Sequence, residues 1–381
     1  MPRFASALTG LPTLAEGLHD LETRLRGCLP ADVGAPDLAL VFYAPHFAPQ
    51  AERLQHEVHL RYAPAHLLGA CTRGVIGPQC EAEDQPAISL MLGWLPGVNL
   101  AAFAYQPEDL PALPSLPPQT RLLLLLGAMP HAPLTQMLDV LNTAHPGLPA
   151  AGGLLSDETV GNDSALLLDD VRQVRGLVGL AFSGEIRVRT MVSQGCHPIG
   201  EPLCATLTHR NVILRLENRP AAGQLQHIIA ALPEDLRASL PQGIFVGRAI
   251  SPDRETYGRG DFLIRPVIGL DERSGAIALG DEINSGDVVQ FFVRDAETAR
   301  DDLSMLLTPC TFGAPPAGAL LFTSHGRGRG WFGRPNEDAH ILHTYLGAAL
   351  PLGGMFCAAE IGSVQGKNFL HGHTASVVLF G

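Results

Sequence analysis

The sequence predicts an α+β protein: pseudo-symmetric, repeated β-α-β-β units forming mixed sheets, with helices on their outer faces. Two observations carry this expectation. Short, almost wholly apolar runs recur along the 381 residues, separated by stretches of helical periodicity. Three of these strand–helix segments end in a glycine-bounded turn of the form G-x6-[IV]-G, namely "GACTRGVIG" (69–77), "GLLSDETVG" (153–161) and "GMFCAAEIG" (354–362).

The first helix is marked by Thr13 and Glu16, spaced as a capping box, with Leu14, Leu18, Leu21 and Leu25 on one face. Strands follow at "LALVFY" (38–43), "ISLMLGW" (88–94), "LLLLLGA" (122–128) and "LVGLAF" (177–182). Further strands are expected at "NVILRLE" (211–217), "FLIRPVIGL" (262–270), "DVVQFFV" (287–293), "GALLFTS" (318–324) and "ASVVLF" (375–380). Continuous apolar runs of this kind suit central strands covered on both faces. "IRVRTMVSQ" (186–194) alternates instead, as a strand with one wet face does. Helices are expected over 133–144, 223–239 and 335–346. The proline-rich "PEDLPALPSLPPQT" (107–120) reads as a linker. A fourth, degenerate unit is expected from "NVILRLE" through "IFVGRAI" (244–250), and "QGCHPIGEP" (194–202) reads as a turn.

The length suggests two domains. With 46% hydrophobic and 17% charged residues the chain is globular rather than disordered. A net charge of −12 argues against nucleic acid as a partner. No signal peptide and no apolar run of membrane-spanning length is read, and the seven scattered cysteines lack any CxxC spacing. A soluble cytoplasmic protein, with reduced thiols and no cofactor, is the expectation.

Chemistry concentrates around "SHGRGRGWFG" (324–333). It is neither a P-loop nor G-x-G-x-x-G, so nucleotide binding is not indicated. Its glycines let the backbone bend, and an arginine fork can hold a carboxylate. Arg327, nearest the strand end, is the candidate; Arg329 and Arg334 read equally well as surface arginines paired with acids. Glu360, in the third glycine-bounded turn, needs a partner if buried. Arg327 or a ligand amine would serve. The equivalent first turn carries Cys71 and Thr72. "HGHT" (371–374) offers two histidines, too few for a metal on their own. Cys71, Cys357 and Ser324 sit at possible nucleophile positions, without an identifiable base.

With these motifs in order, the chain resembles the FIST family, F-box and intracellular signal transduction proteins, over nearly its whole length. The resemblance rests on "LLGACTRGVIG", "AAGGLLSDE" and "VSQGCHPIGEP" in an N-terminal region (1–215). It continues with "GALLFTSHGRG" and "PLGGMFCAAEIGSVQGKNFLHGHT" in a C-terminal one (216–381). It implies a sensory module for a small molecule such as an amino acid, acting through a separate signalling protein. The family's loop motif falls on Ser324, Gly326, Arg327 and Gly328, and its Gly-Glu-Ile turn on Ala359, Glu360 and Ile361. Two positions depart from the pattern: Ser324 stands where many relatives have cysteine, and Val75 where an acid is common. On this reading Arg327 takes a ligand carboxylate and Glu360 its amine, while Phe322, Phe356 and Cys357 form an apolar wall. The alternative is an enzyme on a small acid or acyl group, using Cys71, Cys357 or Ser324.

Overall fold

Alternate residues of the apolar runs serve two different cores, and this explains why the runs are unbroken. In "LLLLL", Leu122, Leu124 and Leu126 enter a central cluster shared with Leu38, Leu40, Phe42, Leu320 and Phe322. Leu123 and Leu125 face the other way, against Leu134, Met137, Leu138 and Leu141 of a helix. Full burial of each leucine stabilises by roughly 1.5–3 kcal/mol, so neither face tolerates a polar residue cheaply.

The computed structural model describes residues 1–29, 34–109, 112–128, 131–155, 166–271 and 273–381. The chain divides into two compact units, one of residues 1–193 and 303–381, the other of residues 194–302. The first third contains β1 (Arg3–Thr9), α1 (Leu14–Arg26), β2 (Leu38–Tyr43), α2 (Ala51–Tyr62), β3 (His66–Cys71), β4 (Gly74–Gly77), β5 (Cys80–Glu83) and β6 (Ile88–Trp94). Next come β7 (Val98–Tyr105), β8 (Thr120–Ala128), α3 (His131–Ala144), β9 (Ala150–Leu154), β10 (Leu166–Leu168), β11 (Val171–Gln173), β12 (Gly176–Gly184) and β13 (Val188–Ser193).

The smaller unit is antiparallel throughout its described strands. It comprises β14 (Cys196–His209), β15 (Val212–Leu216), β16 (Arg219–Pro220), α4 (Ala221–Ala231), α5 (Glu234–Arg237), β17 (Ile244–Ala249), β18 (Phe262–Asp271), β19 (Ala276–Leu279) and β20 (Val288–Arg294). The order β14-β20-β17-β18-β19-β15 closes by pairing of β14 with β15, and Ile213, Leu216, Val246, Ile277 and Phe291 fill the interior with Leu225 of α4. The segment expected as a fourth unit lies here and builds no parallel pair. "QGCHPIGEP", expected as a turn, enters an irregular strand whose register slips between Ile199 and Leu203. The helix expected over 223–239 stops at Ala231, because Pro233 cannot continue it. Positions 215 and 216 both fall within this unit.

The chain returns through α6 (Ala296–Leu307), whose Leu303 and Leu307 pack in the larger unit. It then forms β21 (Gly318–Ser324), the short α7 (Arg329–Phe332), α8 (Glu337–Leu346), β22 (Leu352–Cys357), β23 (Ala359–Val364), β24 (Lys367–His371) and β25 (Ala375–Phe380). The larger unit is α+β with three mixed sheets, ordered β1-β6-β2-β3-β10-β11, β24-β23-β9-β8-β12-β7 and β13-β25-β21-β22-β4-β5. Each has one parallel pair, β2 with β3, β8 with β9 and β21 with β22, bridged by α2, α3 and α8 respectively. Beside each pair lies a hairpin from a different third of the chain: β10–β11 against β3, β23–β24 against β9, and β4–β5 against β22.

The first and third glycine-bounded turns are therefore strand ends leading into exchanged hairpins. Gly354 lies opposite Leu321, and a Cβ there would stand 1.9 Å from the Leu321 carbonyl oxygen. Gly69 meets Val41 in the same way at 2.4 Å. In the middle segment the glycine in this role is Gly152, at 1.8 Å from the Leu125 oxygen, and not Gly153. Residues 156–161 of "GLLSDETVG" lie outside the described residues.

Gly354→Ala is expected to destabilise the protein by about 3 kcal/mol, since neither backbone can yield without breaking the parallel pair. Gly330→Ala, where nothing lies within 4 Å of the added carbon, should change stability by less than about 0.5 kcal/mol. Urea denaturation of both variants measures the difference.

Candidate functional site

Apolar β21 delivers Thr323 and Ser324 to its C-terminal end, where glycines allow the chain to turn at once into α7 and α8. Ser324 caps the turn by accepting from the Gly326 N–H at 3.2 Å. The turn folds Arg327 inward until it is 1% exposed, among the largest fully buried side chains. A guanidinium so placed must carry its counter-charge with it. Asp338, in the first turn of α8, supplies it: Nε donates to Oδ2 at 3.1 Å and Nη2 to Oδ1 at 2.8 Å. The Phe332 ring lies 5.4 Å from the guanidinium carbon.

This fork continues as a buried polar chain. Thr323 Oγ1 donates to Asp338 Oδ2 at 2.7 Å, and the Ser324 N–H donates to the Thr374 carbonyl at 3.0 Å. Thr374 in turn donates to Glu360 Oε2, from its N–H at 3.0 Å and from Oγ1 at 2.8 Å. Glu360 is fully buried and lies opposite His371 across the β23–β24 pair. Arg327 and Glu360, the two charges singled out in the sequence, thus belong to one network through Asp338 and Thr374. Sequence reasoning missed both intermediaries. An aspartate in a helix's first turn reads as an ordinary dipole partner, and nothing local marks Thr374.

The β4–β5 hairpin brings two more carboxylates. Glu81 Oε1 accepts from the Ala339 N–H at 2.7 Å, capping α8 from outside its own segment. Its carboxyl is pushed up to about 8, first by burial and then by the negative charge of Asp338. The Ala339 N–H and the Arg327 guanidinium pull the other way. Glu83 pushes the same way, and Glu81 in turn adds to the burial that raises the Cys80 thiol. Glu83 accepts from the Arg329 N–H at 2.8 Å, and it lies so close to Gly328 that an added Cβ would stand 1.9 Å from its Oε2. The arginine–glycine loop is thus shaped by a hairpin some 250 residues earlier. Arg334 pairs with Glu337, as a surface arginine would.

The other candidates separate. Phe322 and Cys357 face the central cluster, whereas Phe356 lies on the opposite face of its sheet, against the helices, with its ring beside His325. Because neighbours in a strand alternate, Phe356 and Cys357 cannot form one wall. Thr72 Oγ1 donates to the Phe356 carbonyl at 2.6 Å, so the first turn does meet the third. Cys71 packs in the core beneath α1 and α2. Both Cys71 and Cys357 are fully buried, and the Cys357 thiol is raised well above its ordinary range by burial and by Glu360. It is held as thiol rather than thiolate, which removes its nucleophilicity. The Ser324 hydroxyl is occupied as a cap. His371 ends β24, its Nε2 3.2 Å from the Gly362 carbonyl, and His373 sits in a turn against Trp331. Among the described residues no group of three or more His, Cys, Asp or Glu is arranged to hold a metal.

A buried charge network at the C-terminal ends of a parallel strand pair, inside a three-sheet α+β unit, places the chain among proteins built around a polar site on a rigid scaffold. The chain matches the FIST N domain over residues 37–219 and the FIST C domain over residues 221–363, and it belongs to the FIST family. FIST domains are in general sensory domains of signal transduction. The chain is 35% identical to the uncharacterized protein Rv0628c of Mycobacterium tuberculosis, over 91% of this chain and 92% of that protein. It is 34% identical to the uncharacterized protein Mb0898c of Mycobacterium bovis, over 91% of each. Among the described residues no helix is long and apolar enough to cross a membrane.

Asp338→Ala is expected to cost about 3–5 kcal/mol, because it strands the Arg327 guanidinium away from water. Arg327→Met combined with Asp338→Leu should recover most of that loss, as measured by urea unfolding. Glu81 generates a pH dependence of known sign. Folded, it keeps its proton to about pH 8, whereas the unfolded chain releases it near 4.5. The folded state binds more protons across that window, so stability falls as pH rises from about 5 to 8. Glu81→Gln removes this contribution; unfolding midpoints at pH 5 and pH 8 should fall further apart in the wild type than in the variant.

Proposed function

We propose that the protein is a cytoplasmic sensor that binds a small metabolite bearing both an anionic and a cationic group, an amino acid or similar small acid, and signals through a separate protein. The observation that carries this reading is the buried chain from Arg327 through Asp338, Thr323, Ser324 and Thr374 to Glu360. Its position adds support, since ligands of sheet proteins with parallel strands are commonly held outside the carboxyl ends of those strands. None of the seven cysteines is joined in a disulfide, in keeping with the cytoplasm.

In this reading the apolar wall at the Arg327 end is Phe356, which lies on the helix side beside His325, while Phe322 and Cys357 point the other way into the central cluster. Asp338 already engages Nε and Nη2 of Arg327, so a ligand carboxylate competes with Asp338 for the guanidinium. Its ammonium competes with Thr374 for Glu360. Such exchange releases the first turn of α8 from β21. A ligand that binds the released arrangement more tightly shifts the population toward it, which is the requirement for sensing. We also infer that the three sheets derive from one repeated β-α-β-β unit. Its support is their common pairing order, with one parallel pair and one exchanged hairpin each.

Calorimetry with a panel of amino acids and small dicarboxylates tests the reading. At least one member should bind the wild type, and Glu360→Gln should weaken that binding about tenfold or more by removing the charge opposite the ammonium. Absence of binding across the panel, or equal binding by the variant, would overturn it.

A further inference from the structure

The opposite ends of the central strands carry a second feature. A groove of about 1450 Å³ runs along the start of β8, the loop entering β9 and the β12–β13 connection. A smaller hollow of about 300 Å³ shares Arg187, Val188 and Gly381 with it and extends past Arg189 to the prolines preceding β21. Its charges are arginines: Arg121 and Arg187 line the groove, and Arg187 and Arg189 the hollow. Arg187, just before β13, and Arg189 within it are both exposed, as alternate positions of an extended segment are. All three are exposed, and among the described residues none is held in an ion pair. Among the described residues Glu185 is the single acidic side chain lining either cavity, with His145 also present.

This arrangement runs against the character of the chain. With a net charge of −12, the protein has acids to spare for its arginines, and elsewhere it uses them. Three arginines left together and unpaired repel one another, so an anionic occupant gains from all three. The walls are proline-rich, Pro117, Pro118, Pro146 and Pro149 among them. They are fixed in φ and lack N–H donors, so recognition falls to the arginines and to apolar contact on a preformed surface. Phe312 stands 86% exposed immediately before Gly313, which lines the hollow. Arginine is among the residue types that most often dominate binding energy at protein interfaces, where phenylalanine is also enriched.

We propose that this groove docks an acidic segment of a partner protein, with carboxylates on Arg121, Arg187 and Arg189 and an apolar residue against Phe312. The inference goes beyond the metabolite site and does not depend on which ligand that site takes, since the two lie at opposite ends of β21.

Fluorescence anisotropy with the full chain tests it, using a labelled glutamate-rich peptide containing one leucine and a matched peptide with glutamine for glutamate. The acidic peptide should bind saturably, about tenfold more weakly in 0.3 M than in 0.05 M salt. Binding should weaken at least about tenfold in the R121E/R187E/R189E variant and about threefold in F312A. Circular dichroism checks the triple variant's fold; if it is altered, Arg187→Glu alone should still weaken binding about threefold. No saturable binding, equal binding of the glutamine peptide, or undiminished binding by a folded charge-reversal variant would overturn the proposal. Displacement of the peptide by inorganic polyphosphate at equal affinity would also overturn it, assigning the groove to small polyanions.

Discussion

A guanidinium taken out of water has to be met by a carboxylate in the right place, and around Arg327 much of the local architecture follows from that need. Asp338 must open α8 so that its two oxygens face the fork. Thr323 must end β21 with its hydroxyl toward the same carboxylate. Glu81, brought beside Asp338 and out of water, has its carboxyl raised and caps the helix from a distant hairpin. The two-point fork to Asp338 and the Thr323 hydroxyl offset part of that desolvation, and each holds only in one geometry. Such a network therefore specifies one arrangement of loop, helix and hairpin more than it adds stability.

The scaffold that holds the network is made rigid by close approach. At Gly69, Gly152 and Gly354 the parallel strands come together where no side chain fits. Each pair is then buttressed by a hairpin from elsewhere in the chain. This exchange makes the site composite, with contributions from residues 72–83, 323–338 and 356–374. A sensor gains from that construction. A ligand that disturbs one ion pair acts at once on elements belonging to distant stretches of sequence, because packed interfaces shift between discrete arrangements rather than deform smoothly.

β21 runs from the arginine-lined hollow to the buried charge network. Its carboxyl end carries Ser324 and the turn to Arg327, and its start follows the prolines of the arginine-lined hollow. Between them Leu320 and Phe322 sit in the central cluster, and Ala319 and Leu321 under the helices. A strand packed on both faces is a stiff connection between the proposed metabolite site and the proposed docking groove.

The sequence by itself determined the α+β class, the strands at 38–43, 88–94, 122–128, 318–324 and 375–380, and the first helix with its Thr13 cap. Hydrophobic burial and local capping act over a few residues, so they leave a readable period. It also singled out Arg327 and Glu360, since charged groups among glycines and apolar strands stand out against their surroundings. Strand β1 was not read, because "RFASALT" gains its strand character from pairing with β6 rather than from its own pattern. Only the tertiary structure decided that Arg327 meets Asp338, that Thr374 carries the network to Glu360, and that Glu81 and Glu83 shape a loop far away in the chain. Those partners are chosen by which strand ends lie side by side. That depends on the exchange of hairpins between sheets, a long-range pairing to which no local stretch of residues commits the chain.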